Sequence, residues 1–374
     1  MSSKTFETPP RILLTGATGY IGGTVLNQLL SSDHHALATS KITCLIRDAS
    51  RAETLSRSLG PDRIETVVYG GLDDTDLTTA TAASHDLVIN TTLGFHAASA
   101  QALLRGLAQR KAQKTAGRRD VFMLHLSGAS NLADQPVSRA YVETREFDDA
   151  RDDVHAYEEM REAVRPYHQR TTELGVIAAG LEMGVRTLVV MPPLVFGRGT
   201  GLFNRASVQI PVYVEAALGR GCGVVVGDGA GQLDHVHVED LAGLYEILVR
   251  DVLDSGGARV PWGGKGIVFA ANGRHDWMEV ARRVAEACFA EGLIPEARVE
   301  RLTLEEEADA FKSYVDLVGA DLTELELGLC ENSRTVASVA RNLGWKPTRG
   351  EDEWIRGFRD DVRAVVQRRN LAWA

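Results

Sequence analysis

The sequence has few cysteines, few aromatic residues and no long apolar run. Its 374 residues include four cysteines, and aromatic residues make up 6%. The cysteines form no CxxC pair and have no histidines at zinc-ligand spacing, so we expect reduced thiols and no metal site. No run of about 18 apolar residues is present to span a membrane, and the N-terminus MSSKTFETPPR lacks the apolar segment of a secretory signal. These absences favour a cytoplasmic protein without a membrane partner.

Positive charge is also scarce. Lys and Arg number 41 against 51 Asp and Glu, which gives a formal net charge of −10 at pH 7. A nucleic-acid-binding surface needs an excess of basic residues, so we expect a small-molecule substrate and no nucleic-acid partner. Hydrophobic residues, at 44%, suffice for a sizeable core. Because no Pro/Gly/Ser-rich linker divides the chain, we expect one compact body with an attached lobe, after a flexible N-terminus at residues 1–10.

From Arg11 to Met191, short apolar runs alternate with longer amphipathic segments. This pattern is typical of parallel strands joined by crossover helices, and strands buried on both faces are expected to be continuously apolar. The sequence therefore predicts an α/β fold with a doubly wound parallel sheet. The predicted strands cover residues 12–15, 42–46, 64–69, 87–91, 121–127 and 185–191. Helices are predicted to begin near Gly19, Arg51, Ala97, Asp152 and Pro166.

After Pro192 the pattern changes to Gly-rich loops, with helices predicted near residues 207–218 and 239–249 and a late strand near 267–270. We assign residues 11–198 to a Rossmann domain. Residues 199–374 are assigned to a smaller, mixed C-terminal substrate lobe, from which the segment 266–271 returns to the sheet. His235 and His237 flank a valine in the segment DHVHVED and are expected to point to opposite sides, with one facing the substrate cleft and the other anchoring the following turn.

A glycine-rich turn stands between the first predicted strand and the first helix, in the segment RILLTGATGYIGG (11–23). Glycines allow a tight turn and close approach of the backbone, and the free N–H groups of the following helix bind a pyrophosphate. The position of the turn directly after a buried strand makes this pattern more specific than an isolated glycine triplet. The segment therefore predicts a dinucleotide site at Gly16, Gly19 and Gly22.

The spacing TGxxGxxG resembles that of the short-chain dehydrogenase/reductase superfamily, in its extended and atypical branches, which include epimerases, dehydratases and NmrA-like proteins. Later segments are similar to the same branches: CLIRD (44–48), LVINTT (87–92), HLSGAS (125–130), MPPLVFG (191–197), DHVHVED (234–240) and LGWKP (343–347). The resemblance implies the Rossmann fold and, at family level only, a homodimer. The cofactor-binding residues that it implies are Thr15, Gly16, Thr18, Gly19, Tyr20, Ile21, Gly22, Arg47, Arg51, Leu72, Asn90, Thr91, Thr92, Ser127, Pro192 and Leu194.

The residues after the second strand indicate which nicotinamide dinucleotide binds. An acidic residue there would bind the ribose 2′-hydroxyl of NAD, whereas a basic one accommodates the 2′-phosphate of NADP. Arg47 occupies this position, and Ser50 and Arg51 add potential donors. The pattern favours NADP(H), with NAD(H) as the alternative because Asp48 is adjacent. Asp48 would alternatively cap the following helix, leaving Arg47 and Arg51 as solvated residues at its entrance.

In the family that the chain resembles, a tyrosine after the fifth strand transfers a proton, a lysine four residues later lowers its pKa, and a Ser or Thr orients the carbonyl. Ser127 or Ser130 fits the hydroxyl role. Tyr167 and Tyr157 are the two candidates for the tyrosine, and Tyr167 has the better spacing from Pro192. Neither is followed by lysine at the fourth position; Tyr157 is followed there by Arg161.

The resemblance therefore implies an NADP(H)-dependent oxidoreductase or epimerase acting on a small organic carbonyl or alcohol, with Tyr167 as the proton donor. The missing lysine keeps two alternatives open. One is a non-catalytic, NmrA-like sensor of the dinucleotide, and the other is a non-redox isomerase or dehydratase on the same fold.

Overall fold

Seven parallel strands form the central sheet of the protein, whose computed structural model describes residues 11–113, 120–312, 314–315 and 322–372. The strands lie in the order β3-β2-β1-β4-β5-β7-β11, and every neighbouring pair is parallel. Their bounds are β1 Ile12–Thr15, β2 Ile42–Ile46, β3 Ile64–Val68, β4 Leu87–Asn90, β5 Phe122–Leu126, β7 Arg186–Met191 and β11 Ile267–Phe269. The predicted doubly wound α/β fold is confirmed.

Helices cover both faces of this sheet. Side chains of α1, α3 and α9 pack with alternate residues of β1, such as Ile12 and Leu14. Side chains of α5 and α7 pack on the opposite face with Leu13 and Val88. The helix bounds in this half are α1 Tyr20–Leu30, α2 His35–Ala38, α3 Ala49–Leu59, α4 Thr75–Ala82, α5 Ala97–Ala112, α6 Val154–Val164, α7 His168–Met183 and α9 Val238–Ser255.

A second hydrophobic core lies in the C-terminal half, where small sheets and helices pack on one another. The remaining helices are α8 Gln209–Arg220, α10 Trp277–Ala290, α11 Leu304–Ala310, α12 Leu322–Leu329, α13 Ser338–Asn342 and α14 Glu351–Ala372. The remaining strands are β6 Phe147–Asp148, β8 Leu194–Phe196, β9 Gly223–Val226, β10 Gln232–His237, β12 Gly273–Asp276, β13 Val299–Leu302 and β14 Thr335–Val336. This half also returns a strand to the main sheet, because β11 pairs with β7.

Several helices begin at residues other than those predicted from the sequence. The helix predicted to begin near Arg51 begins at Ala49, because the Asp48 carboxylate accepts hydrogen bonds from the N–H groups of Ser50 and Arg51. The helix predicted near Pro166 begins at His168, with Tyr167 as its N-cap residue. Among the described helices, the sequence analysis did not predict α2, α4 or α10–α14.

The prediction that His235 and His237 point to different sides was wrong. Residues two apart on a strand share a face, and both imidazoles contact the ring of Phe196, at centroid distances of 5.4 and 5.2 Å. His235 also stacks on Trp354 at 4.1 Å. Burial lowers the pKa of His235 to about 4, so this imidazole is a neutral part of the C-terminal core.

The four cysteines are all buried and unpaired, as expected for reduced thiols. Within the described ranges, no helix combines the length and apolar character needed to cross a membrane.

Trp354 is one of the buried side chains through which α14 packs on the rest of the lobe. It is fully buried, and its Nε1 donates to Glu279 Oε1 at 3.2 Å. Trp354→Ala should lower the free energy of unfolding by about 3–5 kcal/mol, because it removes a large buried ring and leaves a cavity. The control Ile355→Ala, at a side chain that is 43% exposed, should cost less than about 1 kcal/mol. Urea unfolding followed by far-UV circular dichroism measures both, and equal costs would contradict this packing.

Candidate active site

The predicted site residues lie along one edge of the main sheet. Thr15 ends β1, Asn90 ends β4 and Met191 ends β7, while Arg47 and Ser127 follow directly after β2 and β5. Because all these strands are parallel, their carboxyl ends meet at the same edge. In doubly wound sheets this is the edge at which ligands bind.

The three glycines of the turn after β1 have different structural roles. Gly16 has a φ of +80°, and a Cβ there would lie 2.6 Å from the carbonyl oxygen of Thr91. A Cβ on Gly22 would overlap both the Gly16 carbonyl and the Thr91 hydroxyl. Gly19 has extended backbone and only the Gly16 carbonyl near its Cβ position. Gly16 and Gly22 therefore let α1 approach the sheet, whereas Gly19 leaves the N-terminus of α1 open.

Hydroxyl and amide groups connect the ends of β1 and β4 beneath this turn. Thr15 Oγ1 donates to Asn90 Oδ1 at 2.6 Å, and Thr92 Oγ1 donates to the same atom at 2.7 Å. Thr91 Oγ1 donates to the carbonyl of Thr15 at 2.6 Å. These bonds fix the two strand ends and account structurally for Thr15, Asn90, Thr91 and Thr92 among the predicted site residues.

A loop from the C-terminal half packs against the same turn. The Asn204 N–H donates to the carbonyl of Thr18 at 3.3 Å, and Tyr20 Oη donates to the carbonyl of Gly197 at 2.6 Å. Phe203 lies under the guanidinium of Arg51, at 5.6 Å. The loop thus reaches from the glycine turn to the entrance of α3.

Asp48 and Arg47, which follow β2, lie in different environments. Asp48 Oδ1 accepts from the Ser50 hydroxyl at 2.6 Å and from the Ser50 N–H at 2.8 Å. These bonds, with the Arg51 N–H, lower the pKa of Asp48. Arg47 is exposed, and its Cδ packs near Gly71, next to the partly buried Leu72. The Asp48 carboxylate is therefore engaged as a helix cap, while the Arg47 side chain lies at the sheet edge.

Tyr167 and two serines form a hydrogen-bonded chain on the wall of a cleft. Tyr167 Oη donates to Ser130 Oγ at 3.2 Å, and Ser130 Oγ donates to Gln169 Oε1 at 3.1 Å. Gln169 Nε2 in turn donates to Ser127 Oγ at 3.4 Å. The structure thus brings together the three predicted catalytic residues, with Gln169 between them.

A buried pair of carboxyl groups lies behind this chain. Glu158 and Glu173 are fully buried, and Asn131 Nδ2 donates to Glu173 Oε2 at 2.6 Å and to Ser127 Oγ at 3.2 Å. Burial raises the pKa of Glu173 to about 7. Burial and the neighbouring Glu173 carboxyl raise the pKa of Glu158 well above its usual value. The two groups therefore bind protons more tightly than exposed glutamates do.

Tyr157, the other candidate tyrosine, lies elsewhere. Its hydroxyl accepts a hydrogen bond from Arg161 Nη1 at 2.8 Å and is 3.3 Å from the hydroxyl of Tyr141. Its ring packs on Phe147 at 4.6 Å. Tyr157 does not line the cleft that contains Tyr167.

Gln169 is the side chain of this site that the sequence reading missed. A Cβ on Gly128 would lie 2.5 Å from Gln169 Nε2, so the absence of a side chain at Gly128 makes room for the amide. Glutamine carries no charge and forms no motif, and its position two residues after Tyr167 was the one available signal. Asn131, which joins Ser127 to Glu173, was missed for the same reason.

The cleft has a volume of about 390 Å³ and begins at the glycine turn, where Tyr20 and Ile21 line it. Pro192 and Leu194 form part of its floor, and Tyr314 and Gly328 from the C-terminal half close its far side. A wider depression of about 700 Å³ lies around Asp149–Val154 and shares no lining residue with the cleft.

Comparison with known proteins gives one family and one curated relative. The sequence model of the NAD dependent epimerase/dehydratase family matches residues 12–258. A protein described as oxidase ucsJ, from Acremonium sp, is 30% identical over 346 residues, which cover 90% of this chain and 92% of the relative.

Solved structures share the fold at low sequence identity. The dTDP-glucose 4,6-dehydratase DesIV from Streptomyces venezuelae, solved with NAD, is 16% identical at a TM-score of 0.62, over 96% of this chain and 98% of that one. The UDP-glucose 4-epimerase from Thermus thermophilus, also with NAD, is 17% identical at a TM-score of 0.58, over 94% and 99%.

The tight packing at Gly22 can be tested by adding one methyl group. Gly22→Ala should destabilise the protein by about 1–3 kcal/mol, because the new Cβ overlaps backbone atoms that have little freedom to move, and it should reduce dinucleotide affinity. The control Gly243→Ala lies in α9, where nothing is within 4 Å of the Cβ position, and it should be neutral or stabilising by up to about 1 kcal/mol. Thermal unfolding and NADPH titration measure both effects. A fully stable Gly22→Ala protein that binds NADPH normally would show that the close approach is unnecessary.

Proposed function

The chain belongs to the NAD dependent epimerase/dehydratase family, and from this premise we propose that it is an NADP(H)-dependent oxidoreductase that reduces the carbonyl group of a small organic substrate. The observation that carries the proposal is the Tyr167–Ser130 hydrogen bond on the wall of a cleft that begins at the glycine turn. The cavity then contains a proton donor, Tyr167, and a polarising hydroxyl, Ser130, and it begins beside the glycine turn that would bind the dinucleotide.

The glycine turn fits the pyrophosphate of a dinucleotide. The first turn of α1 has no side-chain cap and no acidic residue, so its N–H groups and the positive end of its dipole are available to an anion. Beside Gly19, an ideal Cβ would meet only the Gly16 carbonyl, which leaves the backbone accessible. When bound, the reduced dinucleotide supplies a hydride.

The preference for NADP(H) rests on Arg47 and Asp48. Asp48 Oδ1 accepts three hydrogen bonds from Ser50 and Arg51, which hold the carboxylate in its role as the cap of α3. The exposed guanidinium of Arg47 has the planar donor geometry that suits a phosphate. These two features favour a dinucleotide with a 2′-phosphate.

In the proposed reaction Tyr167 would donate its phenolic proton to the carbonyl oxygen as the C=O π bond breaks, and the dinucleotide held at the glycine turn would supply the hydride for the carbonyl carbon. Ser130 or Ser127 donates a hydrogen bond to that oxygen and so stabilises the negative charge that develops on it. Gln169 holds both serine hydroxyls and thereby orients them.

The protonation state of Tyr167 supports the reductive direction. The pKa of Tyr167 is raised to about 12, mainly by burial. The hydrogen bond to Ser130 and the charge of Arg170 lower this pKa, whereas the carboxyls of Glu331 and Glu324 raise it. The guanidinium of Arg170 lies 5.8 Å from the centroid of the Tyr167 ring, and its Nη1 donates to the carbonyl of Asn131 at 2.8 Å. The phenol therefore keeps its proton at neutral pH and acts as a proton donor more readily than as a base.

The cofactor assignment predicts a selective effect of charge at Arg47. Arg47→Asp should weaken NADPH binding by at least about ten-fold, because it replaces a charge-assisted donor with a repelling carboxylate, and should leave NADH binding nearly unchanged. The control Arg57→Asp changes the same charge on the exposed side of α3, where Arg57 pairs with Glu53. Fluorescence titration with both nucleotides provides the measurement. Equal losses for NADPH and NADH would remove the support for NADP(H).

The assignment of the proton donor predicts different outcomes for the two tyrosines. Tyr167→Phe should lower turnover of carbonyl substrates by about 100-fold or more without changing NADPH affinity, because the phenolic proton is needed only for chemistry. Tyr157→Phe should cost stability, since it removes the partner of Arg161, and should leave kcat nearly unchanged. Steady-state kinetics with NADPH over a panel of ketones and aldehydes tests this. Normal NADPH binding without turnover by the wild type would instead favour the non-catalytic sensor.

A further inference from the structure

The described residues that line the cleft include two carboxyl groups and no lysine or arginine. The carboxyl groups belong to Glu324 and Glu331, and the remaining polar lining consists of hydroxyl, amide and imidazole groups. Among the described lining residues, an anionic substrate would therefore meet no lysine or arginine to compensate its charge.

Glu331 has an unused hydrogen-bonding atom in this cleft. The residue is 1% exposed, and its Oε2 has no hydrogen-bond partner within the part of the chain that the structure describes. Its backbone is fixed, because its carbonyl accepts a hydrogen bond from Trp277 Nε1 at 3.1 Å. Backbone N–H groups of Glu331 and Cys330 also donate to the carboxylate, so the unpartnered Oε2 is the atom that a ligand in the cleft would complete.

The acidic groups around Glu331 favour a cationic ligand group at this position. Burial raises the pKa of Glu331 well above its usual value; the carboxyls of Asp134 and Glu307 raise it as well, and backbone hydrogen bonds from Glu331 and Cys330 lower it. The carboxyl group therefore binds its proton more tightly than an exposed glutamate does. A cation placed beside it would favour the ionised form and gain a charge-assisted hydrogen bond.

Glu331 and the proposed reaction centre lie in the same space. Tyr167, Glu324 and Glu331 all line the cleft. Glu324 already has a neighbour, because His168 Nε2 lies 3.5 Å from its Oε1. Apolar side chains, among them Phe95 and Leu233, form much of the remaining wall.

We propose that the substrate is an amphipathic amino ketone, whose protonated amine binds Glu331 while its carbonyl faces Tyr167 and Ser130 and its hydrocarbon part lies on the apolar wall. This inference rests on the proposed function. It also separates the chain from relatives described as acting on sugar nucleotides, since a diphosphate would approach Glu331 and Glu324 without a basic partner.

The test compares matched ligands in the complex of the full chain with NADP⁺, which has no hydride to transfer to a ketone. Calorimetry measures the binding of an aryl ketone that carries a dimethylaminomethyl group, of its neutral isostere with an isobutyl group, and of UDP-glucose. The wild type should bind the amine at least about ten-fold more tightly than the isostere and should not bind UDP-glucose. Glu331→Gln keeps the shape of the side chain and should abolish the preference, while the exposed Glu305→Gln should retain it.

NADPH titration of each variant distinguishes the possible failures. If NADPH does not bind to the wild type, the proposed function fails. If NADPH binds equally to the wild type and Glu331→Gln, but the amine and the isostere bind equally or UDP-glucose binds, the amine inference is overturned while the cofactor assignment stands. A preference for the amine that persists in Glu331→Gln would also overturn the role of Glu331.

Discussion

The close approach of α1 to the ends of β1 and β4 is the constraint on which the site depends. It requires glycine at positions 16 and 22, because backbone atoms and the Thr91 hydroxyl occupy the space that a Cβ atom would need. The approach brings the N–H groups of α1 to the sheet edge, where the other strand ends place their polar residues. The same turn supports the loop from the C-terminal half, through the carbonyl of Thr18.

The main sheet was predictable because buried parallel strands are short, continuous apolar runs, and each predicted strand overlaps an observed one. The lobe was harder to predict, because its helices α10 and α14 depend on contacts distant in sequence, such as the stacking of Trp354 on His235. Among site residues, the glycines carry a spacing that identifies them. Gln169 and Glu331 carry none, since their roles depend on the neighbours that the fold brings to them.

The absence of a lysine beside Tyr167 and the carboxyl groups of the cleft have a common consequence. Both favour a phenol that keeps its proton, although the Arg170 guanidinium lowers the pKa of Tyr167 in part. In the proposed function this phenol donates its proton to a carbonyl oxygen. In the same proposal the helix N–H groups and Arg47 bind phosphates at one end of the cavity, and Glu331 binds an amine at the other.

The most direct test of this account is a crystal structure of the protein with NADPH. The account predicts the pyrophosphate at the N-terminus of α1 beside Gly19, the 2′-phosphate at Arg47, and the nicotinamide in the cleft with Tyr167 and Ser130. A dinucleotide bound away from the glycine turn, or with its nicotinamide remote from Tyr167, would contradict it.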